Sequence, residues 1–88
     1  MPESPVKSLF SFENDVLRQV LREERKRLGL NQTEVAKPCG WEQSVIAKIE
    51  QGERRIDVVE FVRLAEAMGQ KPEKLFATFL RALRSAGR

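Results

Sequence analysis

The chain has 88 residues, of which 33% are charged and 41% hydrophobic, and its formal net charge is +3. This size and composition predict one small globular domain, and the basic excess permits a nucleic-acid partner. The chain contains no histidine and a single cysteine, which excludes a Ser–His–Asp or Cys–His catalytic set, a disulfide framework and a Cys/His zinc site.

The first predicted helix follows a segment, residues 1–10, that contains two prolines and two serines and is interpreted as part of an N-terminal arm. Apolar residues then recur at helical spacing from Val16 to Leu28, and Asn14 stands before them as the predicted N-cap. Gly29 occupies the position of a helix-ending glycine. The pattern predicts an amphipathic helix that ends before Gly29.

Two short helices are predicted next. Asn31–Glu34 has the spacing of a capping box, so the second helix is expected to begin at Gln32 and to end near Cys39. A third helix fits residues 43–50. Residues 40–42 between them have the length and the glycine that are typical of a helix-turn-helix.

Two more helices complete the prediction. Asp57 and Glu60 repeat the capping-box spacing and indicate the start of a fourth helix, which stops at Gly69. Pro72 occupies the first position of a fifth helix, where its missing N–H has no cost. Five helices with short connections and no strand signal predict an all-α domain.

A set of residues with fixed spacing runs through residues 16–76. The set consists of Gln32, Ala36, Gly40, Ile46, Glu50 and Gly52. With this set the chain resembles the phage repressor and Cro-like (XRE-type, lambda repressor-like) helix-turn-helix DNA-binding family. The resemblance implies a five-helix fold, double-stranded DNA as the ligand and a homodimer on a two-fold operator. Residues 13–76 are then the DNA-binding domain, 1–12 the arm and 77–88 a C-terminal helix extension for dimerisation.

The third helix would be the recognition helix. Its residues away from the apolar stripe are the implied DNA base contacts: Glu42, Gln43, Ser44, Ala47 and Lys48. Gln43 has the groups for a bidentate pair with adenine, and Lys48 suits guanine or a phosphate. Two alternatives stay open for Glu42, which either reads a cytosine amino group or points away from the DNA. Periodicity alone indicates an ordinary solvated face, and the resemblance favours DNA readout.

Three further residues are implied contacts to DNA phosphates. Gln32 opens the second helix, where backbone N–H groups favour an anion, and Arg54 and Arg55 follow the third helix. The alternatives are a solvated glutamine and a basic solvated loop. The resemblance also implies an ion pair between Arg25 and Glu50 that fixes the recognition helix and reads no base.

Four other residues receive predictions of their own. Cys39 is expected to be a small core residue. Trp41 is expected to pack under the turn before the third helix, and a contact with DNA or a partner is the alternative. Arg18 and Arg22 on the first helix either solubilise that helix or contact phosphates.

Large apolar residues remain beyond the part that resembles the family. They are Phe76, Phe79, Leu80 and Leu83 in the fifth helix, and Leu9 and Phe10 in the arm. A domain of this size has little core in which to bury them, which favours a homodimer interface. Two alternatives stay open, an arm folded over the fifth helix in a monomer and the binding of another protein.

These observations predict a sequence-specific DNA-binding transcriptional regulator, a homodimeric repressor, and not an enzyme. No metal and no cofactor is expected. The alternative function is an antitoxin-like or adaptor protein whose C-terminal apolar surface binds a protein partner. The first residues lack a signal-peptide pattern and no apolar run approaches about 18 residues, so a cytoplasmic location without membrane contact is expected.

Overall fold

The computed structural model describes residues 11–87, which form five helices. They are α1 (Phe12–Arg27), α2 (Gln32–Cys39), α3 (Gln43–Glu50), α4 (Val58–Ala67) and α5 (Pro72–Gly87). No strand occurs among these residues, and the predicted all-α five-helix fold is confirmed. In the same part of the chain, no helix combines the length and the apolar composition that a membrane span requires.

The start of α1 differs from the prediction, which placed the N-cap at Asn14. Ser11 is the N-cap, and its Oγ accepts a hydrogen bond from the Asn14 backbone N–H at 3.0 Å. Asn14 lies in the first turn and is buried. Serine and asparagine are comparably good caps, so the two positions compete. Because Ser11 stands three positions before Asn14, the helix begins almost one turn earlier than predicted.

Both predicted capping boxes are present. Asn31 Oδ1 accepts from the Glu34 N–H at 2.8 Å, and Glu34 Oε1 accepts from the Asn31 N–H at 2.8 Å. Asp57 and Glu60 make the same reciprocal pair at 2.7 and 3.0 Å. Each box satisfies backbone donors that the first turn of a helix leaves without partners, which is why α2 and α4 begin where the sequence predicts.

The turn between α2 and α3 depends on Gly40. Its φ is +75°, a left-handed conformation that glycine adopts without the steric cost of a side chain. The Gly40 N–H donates to the Lys37 carbonyl at 3.0 Å, and the Trp41 N–H donates to the Ala36 carbonyl at 3.1 Å. These two bonds close α2 just after Pro38 and let the chain turn into α3.

The core is shared by all five helices. α1 packs on α3 and α5, α2 packs on α3 and α4, and α4 packs on α5. The buried hydrophobic residues are Val16, Val20, Leu21, Val35, Ala36, Ile46, Ile49, Leu64, Ala65, Met68 and Leu75. α3 contributes Ile46 and Ile49 to this core, which leaves its opposite face to the solvent.

Cys39 and Trp41 are both half-buried against this core, as predicted. Burial raises the pKa of the Cys39 thiol, which keeps it protonated at neutral pH. Cys39 is therefore a packing residue.

Candidate nucleic-acid interface

The exposed face of α3 carries the predicted base contacts. Glu42, Gln43, Ser44 and Lys48 are exposed, and Ala47 is half-buried. These positions cover the N-cap and the first two turns of the helix. An exposed helix presented in this way has the dimensions to enter the major groove of DNA.

Arg25 and Glu50 form a buried ion pair behind that face. Arg25 Nε lies 2.6 Å from Glu50 Oε2, and Arg25 Nη2 lies 2.8 Å from Glu50 Oε1. The two side chains are 10% and 6% exposed. Arg25 Nη1 also donates to the Leu30 carbonyl at 2.9 Å. The hydrogen bond to Glu50 raises the pKa of Arg25, and the pair joins the end of α3 to α1 and to the loop before α2.

Two glutamines continue this pair to the surface. Gln32 Nε2 donates to Glu50 Oε1 at 3.0 Å, and Gln43 Nε2 donates to Gln32 Oε1 at 2.6 Å. A continuous hydrogen-bonded chain therefore runs from Arg25 through Glu50 and Gln32 to Gln43. The sequence pointed to each residue separately, but their mutual contacts depend on how the helices pack.

Arg18 has a role that sequence reasoning missed. Its Nη1 donates to the Glu50 backbone carbonyl at 2.8 Å, and its Nε pairs with Asp15 at 3.0 Å. A cation at the last carbonyls of α3 is favourable because helix C-termini carry partial negative charge. Gly52, with φ +83°, makes room for this arginine, since a Cβ there would lie 3.0 Å from Arg18 Nε.

A polar cleft of about 450 Å³ separates α1 from the exposed face of α3, and Arg22, Gln32 and Ala47 lie on its lining. Arg22 Nε is 4.0 Å from Glu50 Oε1, and the Arg22 side chain is largely exposed. Because Arg25 already balances the Glu50 carboxylate, Arg22 adds positive charge beside α3.

The two arginines that follow α3 lie in different environments. Arg54 Nη2 is 2.9 Å from Glu60 Oε2, and the Arg54 Cζ is 5.3 Å from the centroid of the Trp41 ring. The hydrogen bond from Arg54, together with that from the Asp57 N–H, lowers the pKa of Glu60 below its usual range. Arg55 is exposed and forms no ion pair with any residue of 11–87.

The predicted dimer residues divide into three groups. Phe76 is 48% exposed, whereas Phe79, Leu80 and Leu83 are half-buried. The Phe76 ring contacts Phe61 and Phe79, with centroids 6.0 and 5.9 Å apart. Leu9 and Phe10 lie outside the described residues.

The beginning of α4 extends this apolar surface, which sequence reasoning missed. Val58 and Val59 are 80% and 60% exposed. A groove of about 160 Å³ lies between α1, α4 and α5, lined by Leu17, Ile56, Asp57, Val58, Phe61, Phe76 and Phe79. The signal in the sequence was the pair of β-branched apolar residues, Val58 and Val59, in the first turn of α4.

Glu42 occupies the N-cap of α3 but makes no capping hydrogen bond. Replacing Glu42 with serine is expected to raise the free energy of unfolding by about 1 kcal/mol, because a serine oxygen can accept from the first turn of α3. Urea unfolding measures this change. Glu42→Gln is the matched control, since it removes the charge without adding a good cap. Equal stabilisation by the two variants would contradict the capping explanation.

The family of the chain follows from comparison with known proteins. A helix-turn-helix family model, HTH_3, matches residues 21–75, more than half of the chain. An XRE-family like protein from Pseudomonas syringae pv. tomato str. DC3000 is 30% identical, with a TM-score of 0.75, over 90% of this chain and 96% of that chain. The restriction-modification controller protein C.AhdI from Aeromonas hydrophila is 32% identical, with a TM-score of 0.68, over 75% of this chain and 100% of that chain.

A more distant likeness concerns the fold alone. The wild-type restriction-modification controller protein C.Esp1396I has a TM-score of 0.79 at 16% identity, over 85% of this chain and 97% of that chain. No curated protein sequence matches significantly. The family match and the two more similar structures indicate a helix-turn-helix protein. The structure has the corresponding feature, because one face of α3 is exposed and the Arg25–Glu50 pair ties its end to α1. The chain belongs to the XRE-type helix-turn-helix family, and it is a DNA-binding transcriptional regulator and not an enzyme.

Proposed function

We propose that the chain is a homodimeric repressor that reads a palindromic operator with α3 in the major groove. One observation carries the proposal: the polar face of α3 is exposed, and a hydrogen-bonded chain from the buried Arg25–Glu50 pair through Gln32 holds Gln43 on that face. A reading helix must be held rigidly, because a displacement of about 1 Å weakens every contact it makes.

The proposed base contacts are those of the first two turns of α3. Gln43 uses one Nε2 hydrogen on Gln32, so its second hydrogen and its Oε1 stay available for the N7 and N6 groups of adenine. Lys48 is suited to guanine or a phosphate. Ser44 is suited to a base or the backbone, and Ala47 to a thymine methyl. Glu42 accepts from a cytosine amino group if it faces the DNA.

Gln32 and Arg55 are the proposed phosphate contacts. The Gln32 side chain is engaged with Glu50 and Gln43, so the backbone N–H groups at the start of α2 would hold the phosphate. Arg55 is exposed and contributes a positive charge at the surface. Arg54 was predicted with them, but its side chain is held by Glu60 and Trp41.

The proposed dimer forms through the apolar surface of α4 and α5. Val58 and Phe76 are exposed and line the same apolar groove, and exposed apolar surface of this kind marks interaction sites. Leu80 and Leu83 would extend this surface into residues 77–88, the predicted dimerisation element, while 13–76 form the DNA-binding domain and the arm precedes α1. The boundary at residue 76 falls within the continuous α5, so the dimerisation element would be joined to the DNA-binding domain without a flexible linker.

Two finer points complete the proposal. The 32% identity to a restriction-modification controller protein supports control of such genes as a particular version of this function. The same apolar groove also fits the alternative of an antitoxin-like or adaptor protein, in which a different protein covers it. The proposed repressor acts on DNA in the cytoplasm.

Selection of short duplexes from a random library, followed by binding across a salt series, tests the proposal. We expect a palindrome to be enriched by the wild-type chain. The Gln43→Ala/Lys48→Ala variant is expected to lose this preference, because each base contact contributes about 1–3 kcal/mol of discrimination.

The matched control is Gln70→Ala/Lys71→Ala, which removes the same residue types from the turn before α5. It is expected to bind the enriched duplex as the wild type does. Weak binding without sequence preference at every salt concentration would contradict the repressor proposal, and a pull-down for a protein partner would then test the alternative.

A further inference from the structure

Arg54 connects the two segments that flank α3. Trp41 lies in the turn before α3, and Arg54 lies in the loop that follows it. The Arg54 Cζ is 5.3 Å from the centroid of the Trp41 ring, within the range of a cation–π contact. A side-chain contact therefore joins the segments at the two ends of α3.

The other side of Arg54 is fixed to α4. Arg54 Nη2 lies 2.9 Å from Glu60 Oε2, and Arg54 Nη1 lies 3.4 Å from Glu60 Oε1. Glu60 is itself held in place, because its Oε1 accepts from the Asp57 N–H at 3.0 Å. The carboxylate that Arg54 binds has little freedom to follow Arg54 toward another anion.

Arg54 and Arg55 therefore differ in what they can offer to DNA. The Arg54 side chain is 35% exposed, and turning it toward a phosphate would separate it from both Glu60 and Trp41. Arg55 is exposed and makes no ion pair inside the described part of the chain, so it can reach a phosphate without breaking an ion pair.

We propose that Arg54 is a positioning residue for DNA readout, which sets the orientation of α3 by joining Trp41 to Glu60 and contacts no phosphate. The inference rests on the proposed function, because it presupposes that α3 reads the DNA. It replaces the phosphate contact that the sequence predicted for Arg54 and leaves the one at Arg55 in place.

Arg54→Lys separates the two roles. Lysine keeps the positive charge but lacks the planar fork that binds a carboxylate in two places and stacks on an indole ring. We expect Arg54→Lys and Arg54→Gln to lower the ratio of affinities for the enriched and a scrambled duplex by about tenfold, the order of one mismatched base pair. The slope of log affinity against log salt is expected to stay as in the wild type.

Arg55→Gln is the matched control. It is expected to lower the salt slope by about one and to leave the affinity ratio unchanged. A phosphate contact at Arg54 would give a different result: Arg54→Gln would lower the salt slope and leave the affinity ratio unchanged, and Arg54→Lys would resemble the wild type. That result overturns the inference.

A second measurement needs no DNA. Trp41 is the single tryptophan of the chain, so acrylamide quenching of its fluorescence reports how accessible its ring is to the solvent. Quenching is expected to increase in both Arg54 variants and to stay unchanged in Arg55→Gln; unchanged quenching in the Arg54 variants overturns the inference. Failure of the proposed function looks different, because the wild-type chain would then enrich no duplex.

Discussion

Replacing Glu50 with alanine is expected to lower the free energy of unfolding by about 3 kcal/mol or more. The variant leaves the Arg25 guanidinium buried without its carboxylate and removes the acceptor for Gln32 Nε2. Both losses remove contacts that hold α3 against α1 and α2. DNA specificity is therefore expected to fall together with stability. Urea unfolding of the wild type and the variant measures the first effect, and the duplex titration measures the second.

Two controls separate stability from readout. Glu24→Ala breaks the pair with the exposed Arg27 and is expected to have a much smaller effect on unfolding. The double variant Arg25→Met/Glu50→Leu removes both buried charges and is expected to recover most of the stability, because apolar residues often replace a buried pair well. Its DNA specificity should stay low, since Gln32 still lacks an acceptor. A Glu50→Ala variant as stable as the wild type would contradict this account.

Replacing Phe76 with lysine is expected to convert the proposed dimer to a monomer and to weaken binding to the enriched duplex by about a hundredfold or more. The lysine places a charge in the apolar groove beside Val58 and Phe61, whereas the exposure of Phe76 lets the monomer fold remain intact. The loss of affinity is large because a dimer binds its second half-site at a high effective concentration. Sedimentation gives the mass, circular dichroism the helical content and titration the affinity.

Phe76→Leu keeps the surface apolar and serves as the matched control, with dimerisation and operator binding expected to persist. A Phe76→Lys variant that remains dimeric would place the interface elsewhere. A monomeric wild type that captures a different protein through the same groove would support the antitoxin-like alternative.

The helices and their limits were largely predictable from the sequence. The capping boxes at Asn31 and Asp57, the left-handed Gly40 and the N-terminal Pro72 act within four residues of their own positions, and all of them lie where predicted. The error at Asn14 came from two competing local caps, a choice that local chemistry leaves undecided.

The contacts of the candidate interface were less predictable. Gln32 and Glu50 are 18 residues apart, and Arg18 reaches the Glu50 carbonyl across 32 residues. The sequence supplied Arg54 as a basic loop residue, but its position between Trp41 and Glu60 could not be read from any local pattern.

The sequence by itself therefore determined the helices, their order and the polar face of α3, because capping, turn conformation and helical spacing are interactions between near neighbours. The tertiary structure alone decided which polar side chains meet. Hydrogen bonds and ion pairs depend on distances of a few ångströms, and between residues of different helices those distances exist only once the helices have packed on their common core.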